Sequence, residues 1–518
     1  MKFLKSITKI SGIILIVIII FFVYLMVAYS PKYAYRYTFW TPPGNSDFQK
    51  FPTRKILNSD KPFQFEKKTD EAYIESLFNY KFRILGVTNF EEYIKKTKTT
   101  ALIIIENDTI IYEKYFNGFQ REDLSLAWSM TKSYVYSLIG IAINEGYISS
   151  VEDPITKYLP ELIKQDQRFK KITLKNLLMM SSGIEQRKSA LFNVIPLPWD
   201  EDPISYYHPN LRKYISKNLN IISEPGKQFY YNDFNAELLG LILERAIDQT
   251  VSEYLEEKIW KPCGMEFPAL WGLDSEKSGF EKKSSSLFAR PIDFARYGRL
   301  YLEFGNWEGK QLIPKDWVIE STKDDSTLKI KDYYPPVPSK WHRNTHYKYH
   351  WKGHMDSDSS MSYSISGVLG QHIFIAPHKN LIIVHCGTSH KFYGVADLWS
   401  ISRLMDIPFY KIMHTHGLSG AIAYADSLLK NNQEKIVSEG ILNLIGYDLI
   451  YEGKLEDAIA IFELSIRLYP SSSNAYDSLG EAYMKNDQIE LSIKNYEKSL
   501  ELNSDNENAR EMLNKLKH

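Results

Sequence analysis

A serine and a lysine three positions apart begin a strongly apolar helical segment, in the sequence Ser129-Met-Thr-Lys132. Residues i and i+3 lie on one face of a helix, so the lysine amine can reach the serine hydroxyl. Such a pair can serve as a nucleophile and its base without a histidine. The motif alone is weak, because two fixed positions recur by chance in 518 residues. Acyl transfer also needs a second proton carrier and two backbone N–H groups that face the oxyanion.

Candidates for these further groups lie later in the chain. Tyr231 directly precedes an amphipathic helical pattern and follows a Pro225-Gly turn. The segment Ser364-Ile-Ser-Gly367-Val368-Leu-Gly370-Gln371 reads as a strand whose glycines allow close backbone approach. The alternatives are a packed core aromatic for Tyr231 and a strand bulge for the glycines.

The elements that must position these groups follow from hydrophobic periodicity. Residues 101–112 predict two strands around an Asn107-Asp108 turn, and a helix runs from Ser129 to about Gly146. Strand patterns return at residues 372–376 and 381–385, after a helical and turn-rich middle. Strands at both ends with helices between them predict an α+β domain in which the terminal strands share one sheet.

The ordered set Ser-x-x-Lys, Tyr-x-Asn and a glycine-containing strand motif resembles the serine β-lactamase and penicillin-binding-protein superfamily. The resemblance covers residues 95 to 405 and is greatest for the class C-like esterase and amide-hydrolase branch. Residues 289–300 and 367–375 are similar to enzymes that cleave short linear nylon oligomers. The resemblance implies a β-lactamase/transpeptidase-like fold, in which helices and a helical subdomain flank an antiparallel sheet.

The resemblance also implies roles for individual residues. Ser129 would be the acylated nucleophile, Lys132 would accept its proton, and Tyr231 would relay a proton to the leaving group. The oxyanion hole would consist of the backbone N–H groups of Ser129 and of Gly367 or Val368. The chemistry would need neither a metal nor a cofactor.

Two positions depart from the family pattern. Asp233 stands where Tyr-x-Asn has asparagine, and Ser364 stands near the position of the lysine or histidine of the strand motif. A unit charge at about 4 Å is worth roughly 4 kcal/mol in a partly exposed site. We therefore expect anionic β-lactams and D-Ala-D-Ala termini to be poor substrates, and neutral or cationic esters and amides to be better ones. Asp233 would also raise the pKa of a nearby Lys132 and weaken it as a base.

Other candidate substrate-binding residues are Gly370 and Gln371 on the strand motif, and Asp200 and Tyr207, where this branch builds its pocket. A solvated acidic loop is an equal alternative for the region of Asp200. Histidines recur every four residues at His342, His346, His350 and His354. Alternating aromatic residues favour a strand there over a metal-binding helix, so we expect no metal site.

The C-terminal part contains an internal repeat with an offset of 34 residues. Ile445 to Pro470 aligns with Leu479 to Ser504, and the shared positions resemble the tetratricopeptide repeat. We expect a helical region over 417–518. It could dock a protein or peptide partner, or it could be a helical pack that only supports the enzyme.

The N-terminus contains an apolar run from Ile10 to Ala28, preceded by Lys2, Lys5 and Lys9. Such a helix would be about 28 Å long and predicts an N-terminal transmembrane helix over 1–30. A cleaved signal peptide is the alternative. Residues 31–95 then form a stalk and lead-in segment, and the hydrolase domain at 96–405 would lie outside the cytoplasm, in a periplasmic or similar location.

These features predict a membrane-anchored serine hydrolase for small-molecule or peptide esters and amides. The charge balance of 63 basic and 63 acidic residues gives no reason to expect a nucleic-acid partner. The competing hypothesis is a non-catalytic cell-envelope protein that binds peptides or recruits partners through its fold and repeats.

Overall fold

The computed structural model describes residues 2–79, 89–185, 187–188, 196–323, 345–355, 361–389, 405, 408–430 and 437–517. The chain divides into two compact units. The first contains Met1–Thr69 and Lys95–Leu398, and the second contains Asp70–Ile94 and Trp399–His518. The serine, tyrosine and strand motifs all lie in the first unit, and the 34-residue repeat lies in the second.

Strands of the first unit form three sheets within the described residues. The strands are β1 (Thr53–Ile56), β2 (Glu66–Lys67), β3 (Thr99–Glu106), β4 (Thr109–Tyr115), β5 (Ser125–Leu126), β6 (Ala269–Gly272), β7 (Leu287–Ala289), β8 (Asn306–Trp307), β9 (Lys310–Gln311), β10 (Thr345–Lys348), β11 (Trp351–Met355), β12 (Met361–Gly367), β13 (Gln371–Ala376) and β14 (Leu381–Gly387). The largest sheet has the order β10-β11-β12-β13-β14-β3-β4-β2, a second has the order β1-β6-β7-β5, and β8 pairs with β9.

Strands from near the two ends of the domain predicted at 96–405 meet at the centre of the largest sheet. β14 pairs antiparallel with β3, with Ile382 opposite Ile105 and Val384 opposite Ile103. β3 turns into β4 at Asn107 and Asp108, where both residues have positive φ, as a two-residue hairpin requires. The α+β arrangement with shared terminal strands therefore fits the sequence prediction.

Helices as far as residue 322 are α1 (Lys2–Ala28), α2 (Pro31–Trp40), α3 (Glu71–Asn79), α4 (Phe90–Thr97), α5 (Met130–Asn144), α6 (Leu174–Leu178), α7 (Glu201–Tyr207), α8 (Leu211–Asn218), α9 (Asp233–Ile247), α10 (Val251–Leu255), α11 (Pro291–Leu302) and α12 (Lys315–Thr322). α5 is buried from Met130 to Ala142, as expected of a helix that is apolar on all sides. α11 packs closely on the sheet, because a Cβ on Gly298 would lie 2.9 Å from Ile382.

The second unit is helical in its C-terminal part, where its described helices are Pro408–Lys430, Glu439–Tyr451, Leu455–Leu468, Ser473–Lys485, Ile489–Leu502 and Glu507–Lys517. The second and third of these recur 34 residues later as the fourth and fifth. The packing recurs too, because Gly446 faces the ring of Phe462 and Gly480 faces the ring of Tyr496. Glycine at these positions lets paired helices approach closely enough to bury an aromatic ring.

The predicted N-terminal transmembrane helix is wrong. Among the helices that the structure describes, none combines the length and the apolar character needed to cross a membrane, which is about 20 mostly apolar residues. The end of α1 also packs against protein, with Leu25 fully buried. Three predictions depended on this helix and are not supported without it. They are the membrane anchor, the membrane as a partner and the extracytoplasmic localisation.

Candidate active site

Ser129 occupies the N-cap position of α5, directly after a residue with strained backbone. Trp128 has a φ of 49°, which is unfavourable for a bulky side chain and occurs mainly where the surroundings enforce it. The surroundings here include β7, because Ala127 N–H donates to the carbonyl of Leu287 at 2.8 Å. The Trp128 ring also stacks on Tyr206, at 5.7 Å between centroids. This sharp turn presents the Ser129 hydroxyl at the start of a buried helix.

Two predicted residues, Lys132 and Tyr231, come together around the Ser129 hydroxyl. Lys132 Nζ donates to Ser129 Oγ at 3.1 Å, one helical turn along α5. Tyr231 Oη donates to the same oxygen at 2.8 Å from the segment before α9. The Lys132 ammonium also lies 5.1 Å from the centroid of the Tyr231 ring. A nucleophile with two groups able to carry protons is the arrangement that acyl transfer requires.

Lys132 is fully buried and is held as an ammonium ion. Besides Ser129, its Nζ donates to the carbonyl of Ser284 at 2.8 Å and forms an ion pair with Asp233 at 2.8 Å. Burial alone would lower the pKa of Lys132, but the Asp233 carboxylate and Tyr231 together raise it above its usual value. The resting site therefore contains a charged lysine with three acceptors, which matches its three N–H bonds.

A cluster of carboxylates adjoins Lys132. The Asp233 backbone N–H donates to the Glu201 carboxylate, and Ser205 Oγ donates to Asp233 Oδ2 at 3.2 Å. Burial and the neighbouring Asp233 raise the pKa of Glu201 well above its usual value, whereas Asp202 is the exposed member of the cluster. One ligand atom each of Glu201, Asp202 and Asp233 lies within 4.8 Å of the others. The Lys132 ammonium already neutralises Asp233, so this group is poorly suited to a divalent cation.

The strand motif passes directly beside the turn that precedes Ser129. A Cβ on Gly367 would lie 2.5 Å from the carbonyl oxygen of Ala127 and 2.8 Å from Cβ of Trp128. Only glycine permits this approach without a shift of backbone. The end of β12 and the start of α5 thus lie side by side, as an oxyanion hole with one backbone N–H from each segment requires.

The residues after Gly367 make a tight loop that is held by hydrogen bonds to β14. Val368 is 47% exposed, and Leu369 has a φ of 63°. The Gly370 carbonyl lies 2.6 Å from Nδ1 of His385, and Gln371 Nε2 donates to the carbonyl of Gly387 at 2.6 Å. Gly370 and Gln371 therefore belong to the loop that supports this edge of the site, and the described contacts of the Gln371 side chain are with backbone.

The described contacts of Asp200 and Tyr207 are with residues other than Ser129. Asp200 Oδ2 accepts from the backbone N–H of Leu197 at 2.7 Å, at the start of α7. Tyr207 packs on Phe51, and its hydroxyl accepts a hydrogen bond from Thr41 at 3.3 Å. Their neighbours Glu201 and Asp202 are the members of this acidic segment that reach Asp233. Ser364, the other departure from the family pattern, is buried on β12.

One imidazole lies at the site without having been predicted there. His350 Nε2 is 3.4 Å from Tyr231 Oη, and its Nδ1 is 2.9 Å from Ser133 Oγ. Burial, Lys132 and Lys352 lower the pKa of His350 well below its usual value. Of the other periodic histidines, His342 lies outside the described residues, and His346 and His354 lie on β10 and β11 with side chains outside the description. The predicted strand pattern is present on both sides of the His350 turn.

Comparison with known proteins identifies the family and the repeat. A family sequence model described as Beta-lactamase matches residues 87–397, and one described as Tetratricopeptide repeat matches residues 473–506. The 6-aminohexanoate-dimer hydrolase of Paenarthrobacter ureafaciens is 23% identical over 338 residues, which are 61% of this chain and 81% of that protein. Protein flp of Staphylococcus aureus strain MW2 is 24% identical over 268 residues, 47% of this chain and 48% of that protein.

A solved structure shares the fold. It comes from Bacillus anthracis, and its assignment as a 6-aminohexanoate-dimer hydrolase is provisional. It superposes with a TM-score of 0.56 at 20% identity, covering 74% of this chain and 95% of that one. Because the Beta-lactamase match spans more than half of the 518 residues, the protein belongs to the beta-lactamase family and carries a tetratricopeptide repeat.

Proposed function

We propose that the protein is a serine hydrolase that forms an acyl-enzyme on Ser129. The observation that carries this proposal is the shared hydrogen bonding of Ser129 Oγ, which accepts from Lys132 at 3.1 Å and from Tyr231 at 2.8 Å. An ordinary helix-capping serine accepts from backbone N–H groups of its helix, whereas Ser129 makes no such capping bond. Membership of the beta-lactamase family supports the same activity.

The proposed reaction proceeds in two acyl-transfer steps. The reactive form of the site is the one in which the Lys132–Tyr231 pair has lost one proton to solvent. Ser129 Oγ then attacks the substrate carbonyl, its proton passes to the deprotonated pair, and a C–O bond to the serine forms. Tyr231 delivers a proton to the departing alcohol or amine as the original ester or amide bond breaks. A water molecule then attacks the acyl-enzyme, gives its proton to the same pair and releases the carboxylic acid, and the Ser129 hydroxyl is restored.

The charge around the site favours neutral or cationic substrates. Asp233 is paired with Lys132, Glu201 and Asp202 lie beside it, and Ser364 supplies no cation on β12. An anionic β-lactam carboxylate would therefore find no cation at position 364 to bind it. A panel of p-nitrophenyl esters, small amides, D-amino-acid peptides and nitrocefin tests this expectation. Efficient nitrocefin turnover that is lost in Ser129→Ala would refute the substrate class while leaving the nucleophile in place.

A fluorophosphonate probe tests the hydrolase assignment itself. The probe forms a P–O bond to an activated serine and releases fluoride, so it needs no knowledge of the substrate. We expect labelling of the full chain and none of Ser129→Ala. Labelling that is absent from the wild-type protein, or that survives in Ser129→Ala, would instead support the non-catalytic binding protein.

A docking role for the helical repeats is a separate proposal. It is supported by the Tetratricopeptide repeat match at 473–506 and by the repeated glycine–aromatic packing. Tetratricopeptide arrays often bind peptides or proteins, but short arrays can serve only as structural supports. Crosslinking from a photoreactive residue placed on Ser473–Lys485 distinguishes the two, because a docking surface gives discrete adducts and a support gives none.

A further inference from the structure

The hairpin turn between β10 and β11 is buried in the protein. Its two central residues, Tyr349 and His350, have φ values of 46° and 67°, and both are about 2% exposed. Turns of this kind usually hold asparagine and glycine and lie at the surface. Two bulky residues in left-handed conformation are a strained choice, which is typical of places where a side chain is held for function.

The turn places the imidazole of His350 between Ser133 of α5 and Tyr231. Because Tyr231 Oη donates its proton to Ser129, the phenol can only accept from His350 Nε2. In a neutral ring, which the lowered pKa of His350 favours, a proton on Nε2 leaves Nδ1 able to accept from Ser133 Oγ at 2.9 Å. The hydrogen bonds then run in one direction, from Ser133 through His350 and Tyr231 to Ser129.

We propose that His350 is a positioning residue for Tyr231, whose Nε2–H donates to the phenolic oxygen and stabilises it whenever that oxygen gives up its proton. The inference rests on the proposed serine hydrolase function and adds a residue to its proton carriers. The Nε2–oxygen distance of 3.4 Å is long for a resting hydrogen bond, as is common for catalytic contacts before substrate binds.

The groups around Tyr231 explain why a neutral donor such as His350 would matter there. The titratable groups around Tyr231 and His350 are Lys132 of α5, Asp233 of α9, Tyr136 of α5, and Tyr347 and Lys352 of the hairpin. Lys132 is already committed to Ser129, Ser284 and Asp233. A hydrogen bond to the deprotonated form of an acid lowers its pKa, so loss of the His350 donor moves the acid limb of reactivity to higher pH.

The test compares two substitutions of His350 whose side chains have similar length. His350→Gln keeps an N–H donor near the Nε2 position, and His350→Met fills similar space without a donor. We measure the rate of fluorophosphonate labelling of Ser129 against pH in the full chain. We expect Met to slow labelling about ten- to hundredfold at neutral pH and to shift the acid limb upward, and Gln to restore most of the rate. Ser133→Ala, which frees the far side of the ring, should slow labelling several-fold.

Equal rates and equal acid limbs for the wild-type, Gln and Met proteins would overturn the proposal, as would equally slow Gln and Met variants of matched melting temperature. ¹⁵N spectra of histidine-labelled protein give an independent readout, in which the resonance lost in His350→Gln must report a neutral ring protonated on Nε2. A ring protonated on Nδ1 overturns the proposal even if Ser129 labels normally. An unlabelled wild-type protein with the expected tautomer would instead refute the hydrolase assignment.

Discussion

At the residue scale, Asp233 is the side chain that most affects the proposed base. Its carboxylate lies 2.8 Å from Lys132 Nζ and stabilises the charged form of that lysine. The family pattern has asparagine at this position, which would accept a hydrogen bond without a full charge. The single substitution Asp233→Asn therefore isolates the effect of the carboxylate.

We predict that Asp233→Asn lowers the pKa of Lys132, because an interaction that favours the ammonium form is removed. The neutral amine then exists at lower pH, so the acid limb of Ser129 labelling should move down by about one to three pH units. Asp248→Asn is the matched control, since it removes the same charge just beyond the opposite end of α9, where Asp248 is exposed. An acid limb that stays in place or moves upward in Asp233→Asn would contradict the account.

The sequence could predict Ser129, Lys132 and Tyr231 because each belongs to a short ordered motif. It could not predict His350 at the site, because a distant hairpin delivers that ring and its periodicity indicated only a strand. The sequence predicted the acidic segment but not which of its carboxylates reaches the site. Asp200 and Glu201 are adjacent, and the start of α7 directs Glu201, not Asp200, toward Asp233. The signal in the sequence is Tyr349-His350 between two strand patterns, where a hairpin turn usually has Asn-Gly. Two bulky residues at such a turn indicate that their side chains are held for a reason other than the turn itself.

At the scale of elements, the close approach of β12 to the start of α5 determines the geometry of the proposed oxyanion hole. The approach depends on Gly367, whose missing Cβ leaves room for the Ala127 carbonyl. Sequence periodicity predicted β3, β4, β13, β14 and α5, and the described structure contains all five. The predicted N-terminal anchor was wrong, because none of the helices that the structure describes has the length and apolar character needed to cross a membrane.

We predict that Gly367→Ala lowers kcat for a p-nitrophenyl ester about 10²- to 10³-fold, the range seen when one oxyanion donor is lost. The added Cβ would lie 2.5 Å from a backbone oxygen that cannot rotate away, so β12 must shift from Ser129. Gly44→Ala serves as the control, because a Cβ there meets nothing within 4 Å. Unchanged kcat in Gly367→Ala would show that the β12 backbone does not take part.

At the scale of the whole molecule, the two units carry separate cores. The core of the first unit is continuous around α5 and the sheets, whereas the repeat helices bury their own cluster around Phe462, Leu479 and Tyr483. Damage inside the repeat unit should therefore leave the Ser129 chemistry intact.

We predict that Gly446→Ala destabilises the helical unit by about 1–3 kcal/mol, because its Cβ would lie 2.3 Å from the Phe462 ring. The rate of Ser129 labelling should stay within about twofold of the wild-type rate. Gly440→Ala near the start of the same helix is the control, since a Cβ there is unobstructed and alanine favours a helix. Chemical denaturation followed alongside labelling measures both quantities. If Gly446→Ala lost Ser129 labelling along with the stability of the helical unit, the claim that the two cores are independent would be contradicted.

The central claim is the covalent intermediate on Ser129, and peptide mass mapping after an acid quench tests it most directly. The full chain is mixed with a p-nitrophenyl ester, quenched within the turnover time and digested. The account predicts an added acyl mass on the peptide that contains Ser129, and no such adduct in Ser129→Ala. Ester hydrolysis that proceeds without this adduct, or with the acyl group on another residue, would contradict it.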